Sequence, residues 1–222
     1  MKQVFFGEIY EALPLSNGII FSYCKEILDE GVVVSYKMIS FETGRFTDVA
    51  KNIYLLTKFG NNYKAVLELV GNYITVKSIL LPGSKLFLMN EDGFAQLLDS
   101  DITPLWTGYL AYRGDAPSDI VLHDNALWAV YSQSNVLLKY NLATMKEELR
   151  IGGGVSPFNK PQSLFVEGNK IMVSNSGSNN LIEIDLNSYS VFEFEKFAES
   201  VFQYIKVGDY RFAVLASGIY LI

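Results

Sequence analysis

The sequence predicts an all-β protein: a small β-propeller of five four-stranded blades, one of them closed by pairing the N-terminal strand with the C-terminal strands. Three observations carry this expectation: a strand-forming composition, a repeat of about 44 residues, and two chain ends that complete each other. Half of the 222 residues are apolar and 14% are aromatic, supplied mostly by 14 Tyr and 15 Phe. These residues favour the pleated, half-buried surface of a sheet. Only six prolines interrupt the chain, and glycines fall at the ends of apolar runs. Such a composition excludes a disordered chain, which needs low hydrophobicity and high charge.

The repeat is clearest in the C-terminal half. Pro117–Tyr131, continued by Ser132–Tyr140, superposes without a gap on Pro161–Asn175, continued by Ser176–Ile184. Pro117 matches Pro161, Asn125 matches Asn169, Trp128 matches Met172 and Asn135 matches Asn179, each pair 44 residues apart. Three apolar runs in each copy are followed by a fourth, Lys146–Ile151 or Val191–Phe197. Gly, Asn and Ser punctuate the junctions, as hairpin turns require. Four short antiparallel strands in about 40–45 residues make one propeller blade. Weaker copies extend the series in both directions, so that second strands are expected to begin at residues 18, 85, 126, 170 and 211.

The two ends of the chain supply a physical check. Gly218–Ile222 is a third strand with nothing after it, and a sheet ending there exposes an apolar edge. Lys2–Phe6 is an outer strand without a blade of its own. Pairing the two closes the ring, and residues 1–222 then form a single propeller domain.

Between Gly18 and Lys85 the spacing is about one and a half repeats. Gly31–Phe41 and Phe46–Ala50 complete the first blade. The runs Asn52–Phe59 and Tyr63–Val70, meeting at Gly60-Asn61-Asn62, are expected to form an extra hairpin of two strands inserted within residues 52–75. A rival arrangement makes them part of a degenerate sixth blade.

Charge and special residues narrow the classes of function. The formal net charge is −6 and Arg occurs only four times, with no basic cluster, so neither nucleic acid nor an anionic membrane is an expected partner. Cys24 is the only cysteine, which excludes an intrachain disulfide. The apolar stretch after Lys2 ends at Glu8, too short for the core of a signal peptide. No apolar run approaches the roughly 20 residues of a membrane-spanning helix. A reducing, cytoplasmic setting is the expectation that follows.

Leu149–Pro161, with its Gly152-Gly153-Gly154 and closing proline, resembles the lead-in of NHL-type repeats. Asn169–Asn175 and Asn179–Ile184 are similar to the middle and third strands of that family. Repeats of virginiamycin B lyase, gluconolactonase-like and YVTN propellers look much the same. About two blades, residues 113–197, carry the resemblance. It implies how a blade is built and leaves function open.

In a propeller the fourth-to-first and second-to-third loops share one face, around the mouth of the central channel. Lys77, Ser118, Gln162 and Gln203 are expected to enter the innermost strands there at equivalent positions. With Asn90, Ser132 and Asn175 they form a candidate cradle for a ligand; the competing reading is that they hydrate the channel and satisfy loop backbone. The enzyme-like relatives imply a divalent cation such as calcium in the channel, for which Glu91, Asp92, Asn175 and Asn180 are the candidate oxygen ligands. A zinc site of the usual type is excluded by a single His and a single Cys. His123, beside Asp124 and Asn125, falls in a first-to-second-strand turn on the opposite face, without a Gly-x-Ser-x-Gly elbow. Trp106 and Trp128 are expected to pack between blades rather than form a carbohydrate platform. The functional expectation is a non-catalytic binding or scaffold propeller that holds a protein or small ligand on its loop face and requires no cofactor. The alternative is a divalent-metal-dependent lactonase or lyase acting at the channel mouth.

Overall fold

The structure, a computed structural model, describes residues 1–70 and 77–222. Its strands form five antiparallel sheets of four. Strand β1 (Lys2–Phe6) precedes the first blade, which comprises β2 (Ile9–Leu15), β3 (Gly18–Leu28), β4 (Gly31–Ser40) and β5 (Phe46–Asp48). Two helices follow, α1 (Lys51–Phe59) and α2 (Tyr63–Val70). The second blade holds β6 (Lys77–Leu81), β7 (Lys85–Met89), β8 (Phe94–Leu98) and β9 (Pro104–Tyr109). The third holds β10 (Asp119–His123), β11 (Ala126–Tyr131), β12 (Val136–Asn141) and β13 (Glu147–Gly152). The fourth holds β14 (Pro161–Glu167), β15 (Lys170–Asn175), β16 (Asn180–Asp185) and β17 (Val191–Lys196). The fifth is built from β18 (Val201–Val207), β19 (Tyr210–Leu215) and β20 (Gly218–Leu221), with β1 as its outermost strand.

The repeat arithmetic is visible in the turns. Asp124 and Asn125 both have positive φ, 46° and 61°, the conformation of a two-residue type I′ hairpin. Asn135 and Asn179, matched in sequence, hold equivalent left-handed positions at φ 51° and 57°. Four second strands begin where the sequence places them and the fifth begins one residue earlier, at Tyr210.

The inserted segment is helical, which corrects the expected pair of strands. A short apolar run does not reveal its period, so helix and strand compete until tertiary contacts decide. In α1, Tyr54 and Lys58 stand one turn apart and both reach Glu11. Gly60, at φ 73° and ψ −164°, ends the helix in a conformation open to glycine and donates its N–H to the Leu56 carbonyl. Residues 71–75 of the anticipated insertion lie outside the described residues.

The helices take the place of a blade contact. Neighbouring blades pack face to face through separate apolar cores: Phe87, Leu127 and Leu138 between the second and third, Trp128, Ile171 and Val173 between the third and fourth. Met172, Leu181 and Tyr204 fill the fourth interval, and Phe21, Phe212 and Ile219 the fifth. Between the first and second blades, Phe59 and Val66 of the helices pack on Leu86, Leu88 and Leu98 instead. A five-membered ring thus closes around a helical wedge, not a sixth blade.

Strand β1 closes the fifth blade by pairing Lys2 with Leu221 and Phe6 with Gly218. Gly218 is required there: a Cβ on it would lie 2.0 Å from the Phe5 carbonyl oxygen.

Candidate functional site at the channel mouth

The innermost strands β2, β6, β10, β14 and β18 place one polar residue each at a common level. Glu11, Lys77, Asp119, Ser163 and Gln203 each stand four residues before the last paired residue of their hairpin, which is Leu15, Leu81, His123, Glu167 or Val207. This shifts the expected register. Lys77 and Gln203 are equivalent to each other, but Ser118 and Gln162 stand one position nearer the mouth. The cause is turn length: the β6–β7 hairpin closes over three residues and those of β10–β11, β14–β15 and β18–β19 over two, so a count back from the start of β11 or β15 misses by one. Separately, one residue goes unpaired at the entrance of three inner strands, at Tyr10, Gln162 and Phe202. Such bulges re-aim side chains at sheet edges.

The polar ring fastens one blade to the next. Asp119 accepts the Leu164 N–H at 2.9 Å. Gln203 accepts the Ala12 N–H at 3.0 Å and donates to the Ala12 carbonyl at 2.7 Å. Leu164 and Ala12 each follow a ring residue, so the same edge position is satisfied in both. Ser118 Oγ reaches the Pro161 carbonyl at 3.0 Å, and Gln162 Nε2 reaches Ser132 Oγ at 3.1 Å and Ser176 Oγ at 3.3 Å. These bonds satisfy backbone and loop groups that an inner edge otherwise leaves unpaired.

A charged cluster sits where α1 meets the ring. Glu11 accepts bonds from the Tyr54 hydroxyl and from Lys58 Nζ, the latter at 2.6 Å. Lys77 Nζ lies 3.5 Å from Asp119 Oδ1. Burial pushes the Glu11 carboxyl up, but the Lys58 and Lys77 ammonium groups outweigh it and hold the group below its ordinary range. Burial also opposes the charge on Lys77, yet Asp119 and Glu11 keep its pKa raised. For Asp119 burial wins: its carboxyl is raised despite Lys77 and the Leu164 N–H. The charges of this cluster compensate one another inside the fold.

The other candidates are already engaged. Asn175 is fully buried, accepting from the Asn159 N–H at 3.4 Å and donating to the Pro157 carbonyl at 3.4 Å. Asn180 donates to Glu193 at 2.6 Å and accepts from Ser178 at 2.7 Å. Asn90 Oδ1 caps the turn that carries Glu91 and Asp92 by accepting the Asp92 and Phe94 N–H groups. Among the described residues no three His, Cys, Asp or Glu side chains gather as a metal site. His123 Nε2 is 3.2 Å from Asp124 Oδ2 but lacks hydrogen-bond alignment. Trp128 is buried and Trp106 stacks on Phe87 at 6.3 Å, both as packing residues.

One feature of the loop face was not legible in the sequence. β3 and β4 run to 11 and 10 residues, against four to seven for the other strands outside the short β5. Their turn is a second-to-third-strand connection, so the excess length rises from the channel-mouth face as a two-stranded ribbon. Its tip exposes Ile27 (73%), Leu28 (49%), Val32 (48%) and Val34 (41%). The Lys25-Glu26 pair interrupts the apolar run and hides the strand from pattern reading. Tyr10 and Phe202, both exposed, are the unpaired residues at the entrances of β2 and β18.

No family model matches the chain, and no curated protein does. Solved structures do. Sqt1 of Saccharomyces cerevisiae superposes with a TM-score of 0.55 at 9% identity, over 96% of this chain and 71% of that one. A streptogramin B lyase gives 0.52 at 10% identity, over 100% and 70%. The computationally designed Ika8 protein gives 0.52 at 10% identity, over 96% of this chain; the present chain spans only 57% of its length. What they share with this chain is the propeller-repeat fold.

Among the described residues no helix is long and apolar enough to cross a membrane. Two clefts lie away from the channel. One of about 490 Å³ lies between the helical turn Gly60–Asn62 and the β6–β7 hairpin. Another, of about 350 Å³, runs beside β4 at the root of the ribbon, lined by Tyr23, Val34, Tyr36 and Val49 among others.

Proposed function

We propose that this propeller is a non-catalytic binding scaffold that holds a partner protein on its channel-mouth face and needs no cofactor to do so. The observation that supports this reading is the β3–β4 ribbon, which carries four exposed aliphatic side chains away from the core and onto that face. Exposed apolar groups concentrated on one element mark interaction surfaces. The polar residues of the channel support it from the other side, because Ser118, Asp119, Gln162 and Gln203 spend hydrogen bonds between blades and an activated nucleophile needs a free base beside it. Binding sites on propellers belong to the loops, whereas the fold itself is neutral about function.

The test compares three full-length proteins as baits in extract of the source cell. They are the wild type, a variant with residues 25–34 replaced by an Asn-Gly turn, and His123→Ala/Asp124→Ala on the opposite face. A partner retained by the first and third and lost by the second supports the proposal. Equal retention by all three overturns it. So does hydrolysis or elimination of a lactone substrate that depends on added Ca²⁺, Mg²⁺ or Mn²⁺.

A further inference from the structure

The ribbon has a second property beyond its exposed side chains: one of its backbone edges is open. β5 pairs with β4 only from Lys37 to Ile39, and the Val49 N–H adds one bond to the Tyr36 carbonyl. The chain then turns away at Ala50 into α1. From Gly31 to Ser35 the outer edge of β4 has no backbone partner among the described residues. The groove of about 350 Å³ begins where β5 stops. It is lined by Val34, Ser35, Tyr36 and Lys37 of β4, by Asp48 and Val49, and by Tyr23 and Lys25 of β3. A strand laid in it continues the line of β5.

Natural sheets protect such an edge with lysines, prolines, bulges or a covering loop. The sequence here is Gly31-Val-Val-Val-Ser35, with none of the blocking residues. Beside it the ribbon carries Glu26, Asp29 and Glu30 against the single Lys25, and none of the three acids has an ion-pair partner among the described residues. An edge that is open, aliphatic and acidic fits one kind of occupant.

We infer that β4 accepts an extended strand of a partner protein by β-addition, and that this strand alternates aliphatic with Lys or Arg side chains. Backbone pairing supplies affinity in this mode and alternate side chains supply selectivity. The aliphatic set covers Val32 and Val34 while the basic set faces Glu26, Asp29 and Glu30. A second copy of this chain fits less well. Two molecules of net charge −6 repel, and pairing along five edge residues falls well short of the roughly 1,200 Å² that a specific stable interface buries. The inference rests on the binding-scaffold reading and names the partner's chemistry.

The probe is a fluorescein-labelled nine-residue peptide of alternating lysine and valine, titrated against the full-length protein by anisotropy. Amide exchange is read at residues 31–35. The expected result is saturable binding that slows exchange there. A peptide with glutamate in place of lysine should bind about tenfold or more weakly. Val34→Pro removes an outward N–H, since Tyr36 and hence Val34 face the β5 side. It blocks the edge without changing its charge, and E26K/D29K/E30K reverses the charge without touching the backbone; each should weaken the lysine peptide about tenfold. Circular dichroism and the melting temperature establish that both variants fold, and the charge variant decides alone if the proline variant does not. Absence of saturable binding, equal binding of both peptides, or protection elsewhere than residues 31–35 overturns the inference. Self-association of the wild type that Val34→Pro abolishes also overturns it, in favour of a second copy. A cellular partner lost on ribbon replacement but kept by Val34→Pro and E26K/D29K/E30K refutes strand addition while leaving the scaffold reading intact.

Discussion

Gln203 and Ala12 are 191 positions apart in the chain, yet the Gln203 amide pairs with both backbone groups of Ala12. One side chain here does the work of a neighbouring strand, and it joins the fifth blade to the first. Gln203→Ala leaves a donor and an acceptor unmet at a fully buried residue. A loss of about 2–4 kcal/mol in denaturant stability is expected, since each buried unsatisfied group costs about 1–3 kcal/mol. Amide exchange at Ala12 should accelerate in step.

Asp119 offers a sharper comparison. Asp119→Ala removes the acceptor for the Leu164 N–H and should cost about 1–3 kcal/mol. Asp119→Asn keeps an acceptor and removes a carboxylate whose charge burial disfavours, so its cost should be clearly smaller at pH 7. The raised carboxyl also sets a direction: in the wild type this group's contribution becomes less favourable as pH rises from the unfolded value of 3.8 through the folded one. Urea denaturation of the three proteins across pH checks both points.

Glu167 behaves in the opposite sense. It accepts from Lys206 Nζ at 2.5 Å, Arg211 Nη2 at 2.9 Å and the Tyr204 hydroxyl at 2.7 Å, bracing the fourth blade against the fifth. Burial opposes its charge, but these donors hold its carboxyl down at about 2, from an ordinary 4.5. The stabilisation is therefore complete above pH 4.5 and fades as pH falls towards 2. Its size should be about 1–3 kcal/mol, allowing for partial solvent screening. Glu167→Gln should flatten the acid limb of the stability profile and leave its neutral limb lower.

Closure of the ring can be tested at Gly218. Gly218→Ala drives a methyl group into the Phe5 carbonyl and should destabilise by about 2–4 kcal/mol, with exchange of the β1 amides rising first. Gly31→Ala is the control, because its φ of 140° is close to the 144° of Gly218 but nothing lies within 4 Å of the added Cβ. The difference between the two variants measures the clash itself.

The ring was legible because its signals are local. Asp124-Asn125, Asn135 and Asn179 mark turns through their own backbone preferences, and four second strands begin where the repeat spacing puts them. The helices were not legible, since Asn52–Phe59 is too short to fix a period and its partners, Glu11 and Leu86, come from two blades. The channel ring was half legible: Lys77 and Gln203 could be found, but the three-residue β6–β7 turn, against two residues in β10–β11 and β14–β15, shifts the count. Asp119 and Ser163 were passed over for that reason. Tyr54 and Lys58 carried one usable sign, a polar pair at helical spacing inside an apolar run.

The pairing of β1 with β20 also has a meaning in time. As the chain leaves the ribosome, β1 emerges long before its partner strand β20 is made. Until then the nascent molecule is an open arc, and the apolar flanks of the first and fifth blades, which later share Phe21, Phe212 and Ile219, face solvent. Pairing across nearly the whole chain is a slow, late event in folding. Joining the two ends through a short linker and opening the chain at the Asp124-Asn125 turn would move that delay elsewhere. Such a permuted molecule could complete its first-to-fifth contact midway through synthesis and would spend less time as an aggregation-prone arc.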